Sequence, residues 1–319
     1  MSKYCFGVDI GGTTVKMGYF TEEGDLLEKW EIKTRKEDNG ENILPDIAAS
    51  IEKKIEEKNI SKAEIIGVGL CAPGPVDAEG VIYKAVNLGW GVMNVQEKME
   101  GIIGLPVRVG NDANVAALGE MWKGGGQGSN NIVMVTLGTG VGGGVIVDGK
   151  IVTGYKGAGG EIGHIHIKDD EEKACGCGNK GCLEQYASAT GIARLARHRL
   201  AEDDLPSSLR ALDSHKLDAK AVFDAVKEGD VVAMEIANKF GKYLARGLAM
   251  IASVTNPEKF VIGGGVSKAG DVLFEYIEKH FKPFAFHGCH DTKFVLASLG
   301  NEAGIYGSAK LIIDGVKNS

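Results

Sequence analysis

The sequence lacks the features that mark membrane, secreted and nucleic-acid-binding proteins. None of its segments approaches the roughly 18 uninterrupted apolar residues that a membrane helix needs. The first residues run into a glycine-containing strand pattern without the apolar core and small-residue cleavage site of a signal peptide, so a cytoplasmic location is expected. A formal net charge of −7 argues against non-specific binding of nucleic acid, because neutralising the phosphates requires clustered Lys and Arg. Neither a membrane nor a nucleic acid is therefore an expected partner.

Length and composition predict two α/β domains. A single hydrophobic core usually stops growing at about 250 to 300 residues, and this chain has 319. Predicted helices and strands alternate over most of the chain, which favours sheets layered by helices. We expect a small N-terminal lobe over residues 1–122 and a large lobe over residues 123–299, divided at a glycine-rich stretch that is suited to be a hinge.

A strand–turn–strand–turn–strand pattern occurs twice. Strands are predicted over residues 4–10, 15–20 and 26–34, as in an antiparallel meander. The second copy begins at Asn131 and contains a predicted glycine-rich turn over residues 138–144. One such unit in each half predicts a duplicated architecture.

The first glycine turn has the composition of a phosphate-binding loop. It is neither a Walker A sequence nor a glycine motif before a helix, so P-loop and Rossmann interpretations fail on context. Two adjacent glycines let backbone N–H groups approach an anion, and Asp9 can hold Mg²⁺ through water. A tight hairpin with a solvated aspartate remains the alternative. The candidate residues are Asp9, Gly11, Gly12, Thr13, Thr14 and Lys16.

Two further glycine clusters extend this prediction to the second half. The turn over residues 138–144 contains five glycines, which would weaken a strand pair unless a ligand comes close. Paired phosphate loops are the layout expected for ATP in a two-lobed phosphotransferase. Gly263–Gly265 follows a predicted strand and suits either a flat adenosine or a simple turn. The candidates here are Gly138, Thr139, Gly140, Gly142, Gly264 and Gly265.

Polar residues beside the glycine motifs suit the chemistry of a sugar kinase. A kinase needs a carboxylate to accept the hydroxyl proton as the alcohol attacks the γ-phosphate, and Asp112 is our candidate, although a helix N-cap is the alternative. Asn111 is expected to bind a neighbouring hydroxyl. Glu161, His164 and Glu184 are candidates for the other sugar hydroxyls, because carboxylates and imidazole bond adjacent hydroxyl groups.

A cysteine cluster predicts a structural zinc site. Cys175, Cys177 and Cys182 lie within eight residues with glycines between them. In a reducing compartment, cysteines this close together indicate a metal site rather than a disulfide. Zinc takes four ligands in a tetrahedron, and either His164 or His166 can supply the fourth. Three thiolates and one imidazole leave no open position, so the ion would order the neighbouring loop rather than catalyse.

Taken together, these motifs resemble those of the ROK family (repressors, open reading frames and kinases). The resemblance covers nearly the whole chain. Its segments are DIGGTTVK at 9–16, CAPGPVD at 71–77, NLGW at 87–90, NDAN at 111–114, LGTGVGGG at 137–144, GGEIGH at 159–164 and CGCGNKGCLE at 175–184.

The resemblance implies a duplicated, two-lobed actin-like/hexokinase (ribonuclease H-like) fold. It also implies ATP with Mg²⁺, Asp112 as the base, and phosphorylation of glucose at its 6-hydroxyl. The implied sugar ligands are Asn87, Asn111, Asp112, Glu161, His164 and Glu184. The implied zinc ligands are the three clustered cysteines with His164, which favours that histidine over His166. A homodimer or higher homo-oligomer is implied as well, with residues 300–319 returning to the N-terminal lobe.

Other activities occur within the same family. Fructokinases and kinases of N-acetylmannosamine and N-acetylglucosamine share most of these motifs, although NLGW and the Glu161, His164 and Glu184 set favour glucose. Repressors of the family carry a DNA-binding domain before the first glycine loop, and the short segment before Asp9 leads us to expect none here. A non-catalytic sugar-sensing protein is the remaining alternative.

Overall fold

The computed structural model describes residues 3–213 and 215–317. Within them the chain forms two compact units. The first contains the chain up to Asn130, Gly144–Gly160 and the chain from Leu299 onward, and the second contains Asn131–Gly143 and Glu161–Ser298. Residues 1–2 of the predicted N-terminal lobe and residues 318–319 of the predicted C-terminal segment lie outside the described residues.

The strands are distributed over both halves of the chain. They are β1 Tyr4–Ile10, β2 Thr14–Thr21, β3 Leu26–Lys33, β4 Ile65–Ala72, β5 Val81–Ile82, β6 Met93–Asn94, β7 Val107–Asn111, β8 Ile132–Leu137, β9 Val141–Val147, β10 Lys150–Ile151, β11 Lys259–Gly263 and β12 Lys293–Leu296. The helices alternate with them over most of the chain. They are α1 Glu37–Gly40, α2 Ile43–Lys58, α3 Val95–Ile103, α4 Asp112–Lys123, α5 Glu184–Ala187, α6 Ala189–Leu200, α7 Ala219–Lys227, α8 Val231–Thr255, α9 Val272–Phe284 and α10 Ala303–Lys317.

The first sheet has the strand order β3-β2-β1-β4-β7. β1, β2 and β3 pair antiparallel, which confirms the predicted meander, while β4 pairs in parallel with both β1 and β7. The second sheet has the order β10-β9-β8-β11-β12. Strand β11 pairs in parallel with both β8 and β12, and β10 pairs antiparallel with β9. The two orders correspond strand for strand, so the duplication predicted from the repeated turns is confirmed.

The predicted turn over residues 138–144 is wrong in its extent, because β9 already begins at Val141. The last glycines of the motif lie inside this strand and make room for close neighbours. A Cβ at Gly142 would lie 2.6 Å from Oγ1 of Thr136, and one at Gly144 would lie 2.5 Å from Cβ of Ala117 on α4. Glycine here permits tight packing within the fold and does not break the strand.

The core of the first unit lies on both faces of its sheet. Helix α2 buries Ile43, Ile47, Ile51 and Ile55, whose four-residue spacing places them on one face of the helix. Helix α10 packs on β1, β4 and α4 and buries Ile305, Ile312 and Ile313 beside Cys5 and Phe20.

In the second unit, long helix α8 buries a continuous apolar face and packs against α9. Among the described residues, no helix combines the length and the apolarity that a membrane span requires.

Candidate active site and metal centre

The first glycine loop joins β1 to β2 in a tight turn. The Gly11 N–H donates to the carbonyl of Thr14 over 3.1 Å. Buried Thr34, directly after β3, fixes the loop by two hydrogen bonds. Its hydroxyl donates to the Gly11 carbonyl over 2.7 Å, and its N–H donates to the Thr13 carbonyl. Sequence analysis missed Thr34, because nothing in its local pattern points to a loop 20 residues earlier in the chain.

Asp9 lies at the end of β1, next to a buried thiol. The Cys71 Sγ donates to Asp9 Oδ1 over 3.4 Å. Burial raises the pKa of the Asp9 carboxyl, while the Cys71 hydrogen bond and the charge of Lys16 act in the opposite direction. The Cys71 side chain is fully buried, and its local sequence gives no sign of this contact. Gly304 lets helix α10 lie close to the Asp9 side chain, because a Cβ at Gly304 would be 2.8 Å from Cγ of Asp9.

Asp112 is exposed at the first position of α4. The preceding residue is the N-cap, not Asp112 itself: Asn111 Oδ1 accepts the N–H groups of Ala113 and Asn114. The Asn111 amide donates to the Gly74 carbonyl and to Asp112 Oδ1, each over 3.0 Å. The Ala113 N–H also donates to Asp112 Oδ1, over 2.8 Å. The cap therefore fixes the orientation of the Asp112 carboxylate.

Exposed Asn87 lies beside the first glycine loop. It belongs to a short 3-10 turn, Val86–Leu88, and its Cβ is 3.8 Å from where a Cβ at Gly12 would be. The first unit thus brings together Asn87 and the glycine loop, although they are far apart in the sequence.

The second glycine loop closes between β8 and β9. The Gly138 N–H donates to the Gly140 carbonyl over 3.0 Å, and the Gly138 carbonyl accepts the Ala189 N–H at the start of α6. The Thr190 hydroxyl donates to the carbonyl of exposed Thr139 over 2.7 Å. This loop is therefore anchored to the N-terminus of α6.

Glu184 reaches the same loop from α5. Its Oε2 accepts the Val141 N–H over 3.1 Å, and its Oε1 accepts the Cys175 thiol over 3.3 Å. A Cβ at Gly140 would lie only 2.0 Å from Glu184 Oε2. The absent side chain at Gly140 therefore makes room for a carboxylate of the protein itself.

Gly265 borders a cavity of about 290 Å³ in the second unit, and Gly264 precedes it in the chain. Gly264 has a φ of +83°, and a Cβ there would lie 2.5 Å from the Leu137 carbonyl oxygen, so the turn requires glycine. No atom of the described residues lies within 4 Å of a Cβ built at Gly265. The cavity is lined by Gly265, Val266 and Lys268 on one side and by residues at the start of α7, Ala219, Lys220 and Phe223, on the other.

The predicted metal ligands converge on one point. One ligand atom from each of His164, Cys175, Cys177 and Cys182 lies within 4.8 Å of all the others. Sγ of Cys177 and Sγ of Cys182 are 3.7 Å apart, and Sγ of Cys175 is 3.7 Å from Nδ1 of His164. Sulfurs about 2.3 Å from a tetrahedral zinc would have a separation of about this size, so the donor set and its spacing fit the ion.

The side-chain contacts distinguish the two candidate histidines. Both ring nitrogens of His166 have other partners, the Lys180 carbonyl at 2.9 Å and Asp169 Oδ1 at 3.0 Å. His164 turns Nδ1 toward the cysteines, while its Nε2 is 4.0 Å from Oε2 of Glu161. His164 can thus ligate with one nitrogen and leave the other for a second partner near Glu161.

The predicted residues are divided between the two units. The first unit holds Asp9, Gly11, Gly12, Thr13, Thr14, Lys16, Asn87, Asn111 and Asp112. The second unit holds Gly138, Thr139, Gly140, Gly142, Glu161, His164, Glu184, Gly264, Gly265 and the three cysteines.

Comparison with known proteins finds relatives that match almost the whole chain. The sequence pattern of the ROK family matches residues 5–315. A glucokinase of Halalkalibacterium halodurans is 46% identical over 97% of this chain and 95% of its own length. A glucokinase of Streptomyces coelicolor is 37% identical over 96% of each chain.

A solved structure is similar over the same length. The ROK family glucokinase from Streptomyces griseus, in complex with glucose and AMPPNP, is 35% identical, covers 97% of this chain and 98% of its own, and has a TM-score of 0.72. The similarity confirms the expected two-lobed actin-like/hexokinase fold. This chain belongs to the ROK family.

Proposed function

We propose that this protein is an ATP-dependent glucokinase that transfers the γ-phosphoryl group of ATP to the 6-hydroxyl of glucose. The observation that carries the proposal is the exposed carboxylate of Asp112, held at the start of α4 by its capping neighbour. Glucokinases that match this chain from end to end support the same reaction.

Asp112 is the proposed general base. Oδ1 of the carboxylate accepts two hydrogen bonds, from Asn111 and from the Ala113 N–H, which limits rotation of the side chain. A base must lie within hydrogen-bond reach of the hydroxyl from which it takes the proton, so a fixed orientation favours transfer. As Asp112 takes the proton of the 6-hydroxyl, that oxygen attacks the γ-phosphorus, the bond from phosphorus to the β,γ-bridging oxygen breaks, and ADP leaves.

The two glycine loops are the proposed phosphate-binding elements. Gly12, Thr13 and Thr14 offer backbone N–H and hydroxyl donors, while the Gly11 N–H closes the turn and its missing side chain keeps the loop accessible. Gly138 leaves the second loop open for a close approach. Lys16 would add positive charge. Asp9 would hold Mg²⁺ through water; a divalent cation would offset the cost of burying this carboxylate. The other members of the second loop, Thr139, Gly140 and Gly142, shape its backbone.

The cavity beside Gly265 is the proposed adenosine site. Its volume of about 290 Å³ lies near the lower end of the range for small-molecule pockets. The open side of Gly265 lets a flat ring system lie against the backbone, and Phe223 and Val266 supply apolar wall. Gly264 makes the turn that places Gly265 there.

The sugar is the proposed partner of the remaining polar groups. Asn87, Asn111, Glu161, His164 and Glu184 would bond its hydroxyls, with His164 using Nε2 for the sugar and Nδ1 for the metal. Structural Zn²⁺ would bind to His164 and the three cysteines, where it joins the segment of Glu161 to that of Glu184.

Three further expectations remain predictions. They are a cytoplasmic location, a homodimer or higher homo-oligomer, and the assignment of residues 1–122 with residues 300–319 to one lobe and residues 123–299 to the other.

A coupled ADP-release assay over a panel of hexoses tests the proposed function. Glucose is expected to give the highest kcat/KM among glucose, fructose, mannose, N-acetylglucosamine and N-acetylmannosamine, with ATP alone as the control. A higher value for an N-acetyl sugar would show that the substrate assignment is wrong. Binding of sugar without any release of ADP would favour a sugar-sensing protein over an enzyme.

A further inference from the structure

The segment between the metal ligands His164 and Cys175 contains one buried acid among exposed ones. The Glu171 side chain is only 10% exposed, whereas that of Asp169 is 87% exposed. Both other acids of the run, Asp170 and Glu172, are exposed as well. A carboxylate is buried in a folded protein only where partners compensate its lost hydration, so Glu171 must have strong ones.

Those partners come from the two helices that follow the metal ligands. The hydroxyl of buried Tyr186, on α5, donates to Oε2 of Glu171. The Arg194 guanidinium, on α6, lies 2.9 Å from the same oxygen, and the Lys173 N–H donates to Oε1 over 3.1 Å. Although burial acts to raise the pKa of Glu171, the bonds from Tyr186, Lys173 and Arg194 lower it to about 2.

Arg194 and Gln185 extend these contacts to both ends of the cysteine segment. Arg194 donates to the Gln185 carbonyl over 3.0 Å, and its guanidinium lies 4.7 Å from the centre of the Tyr186 ring. The Gln185 side chain donates to the Lys173 carbonyl over 2.8 Å and accepts the Cys182 N–H over 3.1 Å.

The network matters because Glu184 is the first residue of α5. A helix of four residues has almost no intrinsic stability, so its position depends on side-chain contacts. Gln185 and Tyr186, the next two residues, make those contacts. Their placement decides whether the Glu184 carboxylate can reach the Val141 N–H and the space beside it.

We propose that Glu171, Tyr186 and Arg194 form a latch that positions Glu184 for the sugar, in addition to the metal site. This inference rests on the proposed function, since it assigns positioning residues to the sugar site of a glucokinase. It assigns them no contact with the sugar, the nucleotide or the reacting atoms.

The test compares Glu171→Gln with Glu172→Gln in the full-length, zinc-loaded protein. Glu171→Gln keeps the shape of the side chain but removes the charge that pairs with Arg194. At metal sites, loss of a partner that orients a ligand lowers metal affinity or activity by about 10- to 100-fold, and we take the lower end as the guide for a partner that orients Glu184. We therefore expect the KM for glucose to rise about 10-fold, with kcat, the KM for ATP and the zinc content unchanged.

Amide hydrogen exchange supplies a readout that does not depend on activity. Exchange over residues 184–187 is expected to accelerate in Glu171→Gln and to stay at the wild-type rate in Glu172→Gln. Glu171→Asp, which keeps the charge, is expected to recover part of the glucose affinity. Should Glu171→Gln fail to fold, Tyr186→Phe removes a single hydroxyl and gives the same comparison.

A lower melting temperature with an unchanged KM for glucose would overturn the latch and leave a role in stability alone. An equal loss of affinity for glucose and ATP would overturn it as well. Wild-type protein that does not phosphorylate glucose would contradict the proposed function instead, and the exchange rates over residues 184–187 would then decide whether the latch holds α5.

Discussion

Gly138 and Gly140 lie in the same loop, but their neighbours differ. A Cβ at Gly140 would collide with the Glu184 carboxylate, whereas no atom in the described part of the chain lies within 4 Å of a Cβ at Gly138. Neither residue has a positive φ, so alanine fits the backbone at both positions. The missing side chain at Gly140 makes room for the Glu184 carboxylate, whereas the one at Gly138 leaves open space.

Alanine at these two positions is expected to separate the two substrates. Gly140→Ala displaces Glu184 and should raise the KM for glucose about 10-fold, while Gly138→Ala narrows the open loop and should raise the KM for ATP by a similar factor. Steady-state kinetics with each substrate varied in turn measures both. The same shift in both constants for both variants would contradict the assignment.

The histidines show where sequence reasoning about single residues ends. The cysteine motif alone left either His164 or His166 as the fourth ligand, and the family resemblance favoured His164. The side-chain contacts favour the same residue, because Lys180 and Asp169 occupy both nitrogens of His166.

At the scale of elements, the C-terminal helix α10 packs closely on the first sheet because glycines in the strands leave room for its backbone. A Cβ at Gly69 of β4 would lie 1.8 Å from the Ser308 carbonyl oxygen of α10, and one at Gly7 of β1 would lie 2.1 Å from that of Ile305. The helix backbone therefore rests directly on two neighbouring strands. The residues that contact each other are about 240 and 300 positions apart, so the local sequence gives no sign of this fit.

Gly69→Ala is expected to destabilise the protein by about 3 kcal/mol, since the added methyl group must push α10 away from β4. Gly101→Ala, at an exposed position of helix α3, is the matched control. No described atom lies within 4 Å of a Cβ built there, and alanine should stabilise the protein by about 0.5 to 1 kcal/mol. Denaturant unfolding measures both changes. A Gly69→Ala protein as stable as wild type would contradict the described contact.

Elements with a regular apolar period were predictable, and irregular ones were not. The four-residue spacing of isoleucines from Ile43 predicts a helix over residues 41–58, and α2 begins only two residues later, at Ile43. Helix α3 was missed, although Asn94 caps it, Val95, Met99 and Ile103 are buried at four-residue spacing, and Gly104 ends it in a left-handed conformation. Those signals are short, and the helix has only nine residues. In β9, glycine was taken as a sign of a turn, because the packing of α4 against the strand is not local information.

At the scale of the molecule, the repeated turns predicted the duplicated sheets. The sequence could also group the site residues by motif, since each motif is contiguous. It could not supply the contacts that support them, because Cys71 is 62 positions from Asp9 and Glu184 is 43 from Val141. Such pairs arise from strand order and helix placement, which depend on the whole fold.

The central claim is that Asp112 accepts the proton of the 6-hydroxyl of glucose. The most direct test measures turnover and glucose binding for Asp112→Asn, with exposed Asp213→Asn as the control. Because the amide has nearly the shape of the carboxylate but cannot take the proton, kcat should fall about 100- to 10,000-fold while the glucose dissociation constant, measured by calorimetry, changes less than about threefold. A kcat near that of wild type would contradict the account.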